Sequence, residues 1–188
     1  IYKMKNNTLK INEIFKSIQG ESTYTGIPCA FIRLTYCNLR CTYCDTEYSF
    51  HEGKDMSIDD IINIITPMKT KLVEITGGEP MLQKNVLQLM DKLIEKKYTV
   101  LLETSGSISL KKIPKQIKKI VDFKCPSSGM KNKNLWSILD ELTNEDQIKF
   151  VIGDYKDYKW TKKKIEKHKL NEKWEVLISP VFPYRIIV

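Results

Sequence analysis

Short apolar runs recur along the chain and alternate with segments in which apolar residues are spaced three or four positions apart. Several of the runs are almost continuously apolar, without a regular alternation of polar residues. Such runs are typical of strands that are covered on both faces. Six strands are therefore predicted, at residues 30–34, 72–75, 98–102, 120–123, 147–152 and 174–178.

The segments between the runs have the spacing of amphipathic helices. Ser57 is followed three residues later by Asp60 and by a stripe of isoleucines, which resembles a capping box with Asp in place of Glu. We expect a helix to begin there. Further helices are predicted at residues 86–94, at 135–142 with Asn134 as the N-cap, and in the basic segment 156–169.

The alternation of strands and helices favours right-handed crossovers and a parallel sheet. A complete eight-stranded barrel needs roughly 250 residues, whereas this chain has 188. We therefore predict an α/β fold, a single domain over residues 1–188 that forms an incomplete (partial) β/α barrel of about six parallel strands. In such sheets the ligands bind at the carboxyl ends of the strands.

The composition is that of a folded protein, with 41% hydrophobic residues and no apolar run long enough to span a bilayer. Residues 1–10 are polar and mixed, without the apolar core of a signal peptide. The formal net charge is +8, but the lysines are scattered or paired on helix faces, and we interpret them as solvated. A mild positive field would also attract an anionic substrate. We expect a cytoplasmic protein that binds neither membrane nor nucleic acid.

Three of the five cysteines lie within eight residues, and they are Cys37, Cys41 and Cys44. This C-x3-C-x2-C segment directly follows the first predicted strand, so its thiolates can surround one metal centre. A structural zinc would need a fourth protein ligand, for which only His51 or Cys125 is a candidate. An iron–sulfur cluster with three cysteine ligands instead leaves one iron open to a small molecule. Cys29 and Cys125 are otherwise interpreted as small buried residues, and His51 and His168 as surface residues.

The cysteine segment resembles the hallmark of the radical SAM superfamily, in which S-adenosylmethionine (SAM) binds the open iron. Tyr43, directly before the last cysteine, is aromatic as in that superfamily. Residues 76–80, Thr-Gly-Gly-Glu-Pro, end the second predicted strand and are similar to the superfamily segment that holds the SAM amino group. The segment alone would be compatible with a simple turn. Together the two motifs imply a 4Fe–4S cluster on the three cysteines and reductive cleavage of SAM.

Further segments resemble the 7-carboxy-7-deazaguanine synthase family over roughly residues 11–182. They are Ile-Gln-Gly-Glu-Ser at 18–22, Arg33, Asp-Thr at 45–46, Leu-Glu-Thr-Ser-Gly at 102–106 and Asp-Phe-Lys-Cys-Pro-Ser-Ser at 122–128. The resemblance implies conversion of 6-carboxy-5,6,7,8-tetrahydropterin to 7-carboxy-7-deazaguanine by hydrogen abstraction, ring contraction and loss of ammonia, in queuosine and 7-deazapurine biosynthesis. It also implies a requirement for Mg²⁺, a flavodoxin or ferredoxin as reductant, and a homodimer.

The resemblance assigns roles residue by residue. Contacts to the substrate are implied for Ile18, Gln19, Gly20, Glu21, Arg33 and Thr76. Contacts to SAM are implied for Tyr43, Gly78, Glu79, Glu103, Ser105, Asp122, Phe123 and Lys124. The hydroxyl of Thr46 is implied as a ligand of Mg²⁺, unless residues 45–46 form only a local turn. Arg33 either binds the substrate carboxylate or forms an internal salt bridge, since a charge in an apolar strand needs a partner.

Two alternatives remain open at this point. A glycyl-radical activase has the same cysteine spacing but would not need Gln19, Arg33 or Thr46. A zinc-stabilised binding module for RNA would need four zinc ligands. Family members continue past the last strand, whereas only six residues follow Phe182 here. We therefore expect either a short chain end or missing residues, and the contacts that close the substrate site are in doubt.

Overall fold

The computed structural model describes residues 7–181. The predicted polar segment 1–10 lies partly outside these residues, and the tail after Val181 lies wholly outside them. Within residues 7–181 no helix is both long enough and apolar enough to cross a membrane.

One eight-stranded sheet forms the frame of the described chain, with the order β3-β1-β2-β4-β5-β6-β7-β8. The strands are β1 (Thr8–Ile18), β2 (Pro28–Leu34), β3 (Lys54–Ser57), β4 (Leu72–Gly77), β5 (Thr99–Thr104), β6 (Lys118–Asp122), β7 (Gln147–Ile152) and β8 (Glu175–Pro180). The strands from β2 to β8, without β3, are mutually parallel. These six are the predicted strands, with ends that differ by one or two residues.

Two antiparallel strands were not predicted. β1 pairs with β2, and the short β3 pairs with β1. β1 has no continuous apolar run, because polar residues occupy many of its positions. Only Leu9 and Ile11 of this strand are fully buried. β3 has only four residues and begins with two charges. The prediction placed residues 18–22 before the first strand, whereas Ile18 is the last residue of β1.

The six parallel strands have two different faces, because successive side chains of a strand point to opposite sides. The outward side chains, such as Ile32, Ile75 and Val121, form one core with the helices. The inward side chains begin with a small apolar cluster, which we call the floor and which contains Cys29, Leu72, Leu101 and Ile120. Further along the strands the inward positions become polar and line a cavity.

Three α-helices cover the outer face, namely α1 (Ile58–Ile65), α2 (Val86–Glu95) and α3 (Tyr155–His168). The predicted start at Ser57 is confirmed, because its Oγ accepts from the Asp60 N–H at 3.1 Å. The capping box lacks its usual second hydrogen bond, in which the acidic side chain accepts from the N–H of the N-cap residue. The Asp60 carboxylate accepts from the Ser57 hydroxyl at 2.6 Å, since Asp is one methylene shorter than the Glu that normally reaches the backbone.

The predicted helix at 135–142 is a 3₁₀ helix, Trp136–Glu141, and Asn134 is not its N-cap. The Asn134 side chain instead accepts from the Lys124 N–H at 2.8 Å and donates to the Lys124 carbonyl at 2.9 Å. Packing determines the conformation here, because the ring of Trp136 stacks on the rings of Phe123 and His168. The ring centroids are 4.4 Å and 4.5 Å apart, respectively. His168 is therefore half-buried rather than a surface residue. His51 is exposed, and Cys29 and Cys125 are buried, as predicted.

Candidate active site

A cavity of about 980 Å³ opens at the carboxyl ends of the parallel strands. It is lined by residues from the exits of β1, β2, β4 and β5, and from β6, β7 and β8. All the predicted site residues except Ile18, Glu79 and Phe123 contribute to its wall. The prediction that the motifs would converge on one rim of the sheet therefore holds for most of them.

The three exceptions have different surroundings. The side chain of Ile18 is exposed at the end of β1. Phe123 is fully buried and stacks on Trp136 and Phe150, so its side chain belongs to the core. Glu79 is fully buried behind the cavity wall, where protein groups already surround its carboxylate.

The loop with the three cysteines leaves β2 through Tyr36, whose positive φ of 81° turns the chain sharply. Its far side is held by Thr42, whose N–H and Oγ1 donate to the carbonyls of Ser128 at 3.1 Å and of Ser127 at 2.7 Å. The guanidinium of Arg40 lies over the ring of Phe50, with its Cζ 4.2 Å from the ring centroid. The thiols are half-buried and all three line the cavity.

The electrostatic surroundings of the thiols are mixed. Burial raises the pKa of Cys37 and Cys41, and the nearby Lys124 ammonium opposes that rise. A cation next to thiols favours their ionised form, which is the form that binds metal.

A zinc site does not fit this geometry. Among residues 7–181 no three His, Cys, Asp or Glu side chains are gathered closely enough to hold a single metal ion. His51 is exposed, and the thiol of Cys125 lies against the Thr161 hydroxyl at 3.3 Å in the core. Three thiols on one cavity wall, without a fourth ligand, fit a larger polynuclear group better than zinc.

Gly77 and Gly78 allow the loop after β4 to lie against the start of the cysteine loop. A Cβ on Gly78 would lie 2.2 Å from the Tyr36 carbonyl oxygen, and one on Gly77 would lie 2.3 Å from that of Leu34. The Gly78 N–H donates to the Leu34 carbonyl at 3.1 Å, and the Glu79 N–H donates to the Tyr36 carbonyl at 2.7 Å. The two glycines thus allow the loops to lie close together, and both glycines also line the cavity.

The carboxylate of Glu79 fastens the same loop to the end of β5. It accepts from the Thr104 hydroxyl at 2.9 Å, from the Ser105 N–H at 2.8 Å, from the Ser105 hydroxyl at 2.6 Å and from the Met81 N–H at 3.1 Å. These donors occupy both oxygens. The carboxylate thus orients Ser105, which does line the cavity.

Asp122 and Lys124 follow one another along the cavity wall at the end of β6. The Lys124 ammonium lies 2.6 Å from Asp122 Oδ2. Burial alone would lower the pKa of Lys124, but Asp122 and Cys41 raise it, so the lysine remains a cation. Asp122 Oδ1 is buried and has no hydrogen-bond partner among the described residues. A buried acceptor without a donor is costly, and a ligand hydroxyl would satisfy it.

A second group of charges lies beside the first, because Lys149 on β7 is in register with Asp122 on β6. The Lys149 ammonium contacts the carboxylate of Glu21 and lies 2.8 Å from that of Glu103, which also accepts from the Thr76 hydroxyl at 3.3 Å. Burial would raise the pKa of Glu103, but Lys149 lowers it, so Glu103 is ionised. Lys149 was not predicted, although a lysine within the apolar segment 147–152 is the same signal that identified Arg33.

Glu74 was also missed, and it too is a charged residue type within an apolar strand. Its side chain lines the cavity, and its carboxyl accepts a hydrogen bond from the Gln19 amide. Burial, followed by the neighbouring Glu103 carboxylate, raises the pKa of Glu74 to about 8. Glu74 is therefore largely protonated at neutral pH.

Arg33 forms the internal salt bridge that was one of the two roles considered for it. Its Nε donates to Glu13 at 2.7 Å, which is the internal salt bridge. Glu13 also accepts from the Tyr48 hydroxyl at 3.0 Å. The two terminal nitrogens of Arg33 have no hydrogen-bond partner within residues 7–181, and Arg33 lines the cavity. The salt bridge therefore orients a guanidinium whose outer edge stays available.

The chain matches the Radical SAM superfamily over residues 31–130. It is 48% identical to a 7-carboxy-7-deazaguanine synthase of Koribacter versatilis, over 93% of this chain and 78% of that protein. The chain belongs to the 7-carboxy-7-deazaguanine synthase family. A second relative of that name, from Chlorobaculum tepidum, is 39% identical over 93% of this chain and 80% of its own length. The crystal structure of QueE from Escherichia coli superimposes with a TM-score of 0.79 over 93% of this chain and 84% of that chain, at 23% identity, and supports the fold.

Membership of the 7-carboxy-7-deazaguanine synthase family makes the chain a radical SAM enzyme of 7-deazapurine biosynthesis. Its cofactors are accordingly a 4Fe–4S cluster and SAM, as predicted. The fold class, a partial β/α barrel, is confirmed as well. The activase and the zinc-binding module lose their support, because neither shares this family.

The raised pKa of Glu74 predicts a characteristic dependence of stability on pH. From about pH 5 to about pH 8 the folded chain binds more protons than the unfolded chain, in which Glu74 has its ordinary pKa of 4.5. The contribution of Glu74 to the free energy of unfolding must therefore fall as the pH rises through this range. Glu74→Gln should remove that fall, and urea unfolding at a series of pH values measures it.

Glu95→Gln is the matched control, because Glu95 is exposed on α2. The difference between wild type and Glu74→Gln should grow steadily with pH in favour of the variant, whereas the control should follow the wild type. Parallel curves for wild type and Glu74→Gln would mean that Glu74 is ionised in the folded chain.

Proposed function

We propose that this chain converts 6-carboxy-5,6,7,8-tetrahydropterin to 7-carboxy-7-deazaguanine in the cavity at the carboxyl ends of its strands. One observation carries the proposal. The cavity wall carries two chemically distinct sets of groups, namely three thiols with the unpaired Asp122 Oδ1, and the Arg33 guanidinium with Gln19. A redox cofactor and a carboxylated heterocycle can therefore be held side by side.

Cys37, Cys41 and Cys44 are the proposed ligands of the 4Fe–4S cluster. Their positions on one cavity wall support this assignment, and so do the exposed position of His51 and the contact of the Cys125 thiol with Thr161 in the core. Lys124 offsets part of the negative charge of the thiolates. When bound, the cluster and SAM supply the one-electron chemistry that removes a hydrogen atom from the substrate.

The SAM site is proposed between the cysteine loop and the end of β6. Asp122 Oδ1 would accept from a ligand hydroxyl, and Tyr43, Gly78, Ser105 and Lys124 would form the surrounding wall. Glu79 is proposed as a positioning residue, since its carboxylate acts on Ser105 and not on the ligand. These contacts hold the reactive end of SAM near the thiols.

The substrate site is proposed at the opposite end. The terminal nitrogens of Arg33 would bind the substrate carboxylate as a fork, and Gln19, Gly20, Glu21 and Thr76 would surround the ring. Glu103 was predicted to bind the ribose of SAM, but its contacts with Lys149 and Thr76 favour the substrate side. Phe15 and Phe31 line the same end and stack with ring centroids 5.0 Å apart, which offers a flat surface to a bicyclic ring.

Mg²⁺ is proposed to bind Thr46 and the substrate carboxylate. The Thr46 hydroxyl lies 3.8 Å from the Cys44 thiol, and Asp45 and Thr46 both line the cavity. A hard cation that keeps most of its waters needs few protein ligands. The metal would thus join the substrate end of the cavity to the cluster end.

A flavodoxin or ferredoxin as reductant, a cytoplasmic location and a homodimer complete the proposal. Among residues 7–181 β8 is the last strand of the sheet and has no strand on its outer side, which supports a second copy as the cover of that edge.

Anaerobic reconstitution tests the function directly. The wild type should turn brown, absorb at about 400 nm and bind about four irons per chain. It should also convert the carboxy-tetrahydropterin when SAM and a reductant are added. Cys41→Ala should lose the cluster and both SAM cleavage and turnover. Cys29→Ala is the control and should keep them, because Cys29 lies in the floor. A Cys41→Ala variant that still cleaves SAM would overturn the ligand assignment.

Arg33→Ala should raise the KM for the pterin by about 10- to 100-fold, the usual loss for a hydrogen bond to a charged group. Arg33→Lys should recover only part of the affinity, because an ammonium cannot form a fork. Steady-state kinetics measures both. If only the stability fell and the KM stayed the same, Arg33 would serve solely its salt bridge with Glu13.

Thr46→Ala should raise the Mg²⁺ concentration needed for half-maximal activity by about tenfold or more, with the cluster absorbance unchanged. Thr46→Ser retains the hydroxyl and should behave as the wild type. An Mg²⁺ titration of the initial rate measures the effect. Equal midpoints for Thr46→Ala and wild type would place the metal elsewhere.

A further inference from the structure

Glu74 is a nearly buried acidic residue of the cavity wall, and no salt bridge joins it to a cation among residues 7–181. Asp122 is paired with Lys124, while Glu21 and Glu103 share Lys149. The only hydrogen-bond partner of the Glu74 carboxyl within residues 7–181 is the neutral amide of Gln19. A nearly buried acid without a cation is a cost to the fold, and such groups are concentrated at functional sites.

The orientation of the Gln19 amide is determined by its other contacts. Its Oε1 accepts from the Glu21 N–H at 3.0 Å, so its NH₂ group is the end that points to Glu74. That NH₂ group binds Oε2 of Glu74. Oε1 of Glu74 has no hydrogen-bond partner among the described residues, and the side chain forms part of the cavity wall. One carboxyl oxygen is thus anchored and the other is available to a ligand.

The position of Glu74 relative to Arg33 matches the length of the proposed substrate. Arg33 is in register with Thr76, and Phe31 is in register with Glu74. The two layers are two residues apart, which is about 7 Å along a strand. This is the scale of a bicyclic ring that bears a carboxylate at one end, and the stacked Phe31 and Phe15 lie along the cavity wall.

The chemistry of Glu74 fits the far end of that ring. The pyrimidinone ring of a pterin presents a ring N–H and an exocyclic amino group side by side. A carboxylate accepts two parallel hydrogen bonds from such a pair, as it does from a guanidinium. Glu21 and Glu103 are weaker candidates for this contact, because Lys149 already binds both.

We propose that Glu74 selects the substrate by its aminopyrimidinone edge, accepting hydrogen bonds from the ring N–H and the amino group. The inference rests on the proposed function and adds to it the residue that distinguishes a pterin from other carboxylated bicycles. Gln19 acts with Glu74 as a positioning residue, since its amide orients the carboxyl.

Binding in this way requires Glu74 to lose a proton. The groups that face it are the carboxylates of Glu103 and Glu21, the Lys149 ammonium and the Cys29 thiol. The two carboxylates and burial keep the pKa of Glu74 raised, and two N–H donors would lower it. At about pH 7, below the raised pKa, the wild type should therefore release close to one proton to the buffer on binding the pterin.

Isothermal titration calorimetry on the anaerobic, cluster-loaded enzyme, with neither SAM nor reductant, tests the proposal. Glu74→Gln should bind the carboxy-tetrahydropterin about 10- to 100-fold more weakly than wild type. An analogue that lacks the 2-amino group should bind wild type correspondingly weakly, and the variant should distinguish the two ligands much less. Titrations in two buffers of different ionisation enthalpy should show proton release by wild type and none by the variant.

Two further variants separate recognition from structure. Glu74→Asp keeps a carboxyl but shortens it, and should lose affinity while still releasing a proton. Glu95→Gln, on the exposed face of α2, should match wild type in every titration. Cluster absorbance and SAM cleavage without substrate should be the same in all the proteins, because the contacts of Glu74 lie away from the thiols.

The outcomes distinguish this proposal from the function on which it rests. If wild type converts the pterin and Glu74→Gln binds it within about twofold of wild type, the role of Glu74 is wrong and the function stands. If wild type binds the carboxy-tetrahydropterin and the analogue without the 2-amino group equally well, the role of Glu74 is likewise wrong and the function stands. If wild type neither binds nor converts the pterin, the proposed function is wrong, and the role of Glu74 falls with it.

Discussion

The two-residue repeat of the parallel strands is the constraint on which the rest of this structure depends. Outward side chains such as Ile32, Ile75 and Val121 must be apolar, because the helices cover them. Inward side chains beyond the floor are not covered by helices and need not be apolar. Arg33, Glu74 and Thr76 occupy such positions and line the cavity. One set of short strands thus supplies a core on one side and a reactive cavity on the other.

Charges inside such a cavity are tolerated when they compensate one another. Lys149 lies between Glu21 and Glu103, and Lys124 pairs with Asp122, so each of these charges has a partner of opposite sign. Glu74 and Asp122 Oδ1 are two places where compensation is incomplete. Such incompletely paired groups are the arrangement expected if bound ligands complete the pairing.

The sequence was sufficient where a local rule acts alone. Apolar runs indicated the six parallel strands, and cysteine spacing with the Gly-Gly-Glu-Pro segment indicated the cofactors. The sequence was insufficient where tertiary contacts determine the local conformation or the partner of a side chain. The stacking of Trp136 converts a predicted α-helix into a 3₁₀ helix, and Thr104 and Ser105 bind Glu79 behind the wall. β1 was missed because an antiparallel strand with one polar face has no continuous apolar run.

Glu74 and Lys149 were missed for a different reason, because the information was present. A charged residue within an otherwise apolar strand must either find a partner or bind a ligand, and this rule was applied to Arg33 alone. Applied to every strand, it would have selected Glu74 and Lys149 as well, since both interrupt apolar segments. All three residues line the cavity. Inward charges on parallel strands therefore predict a ligand site before any motif is considered.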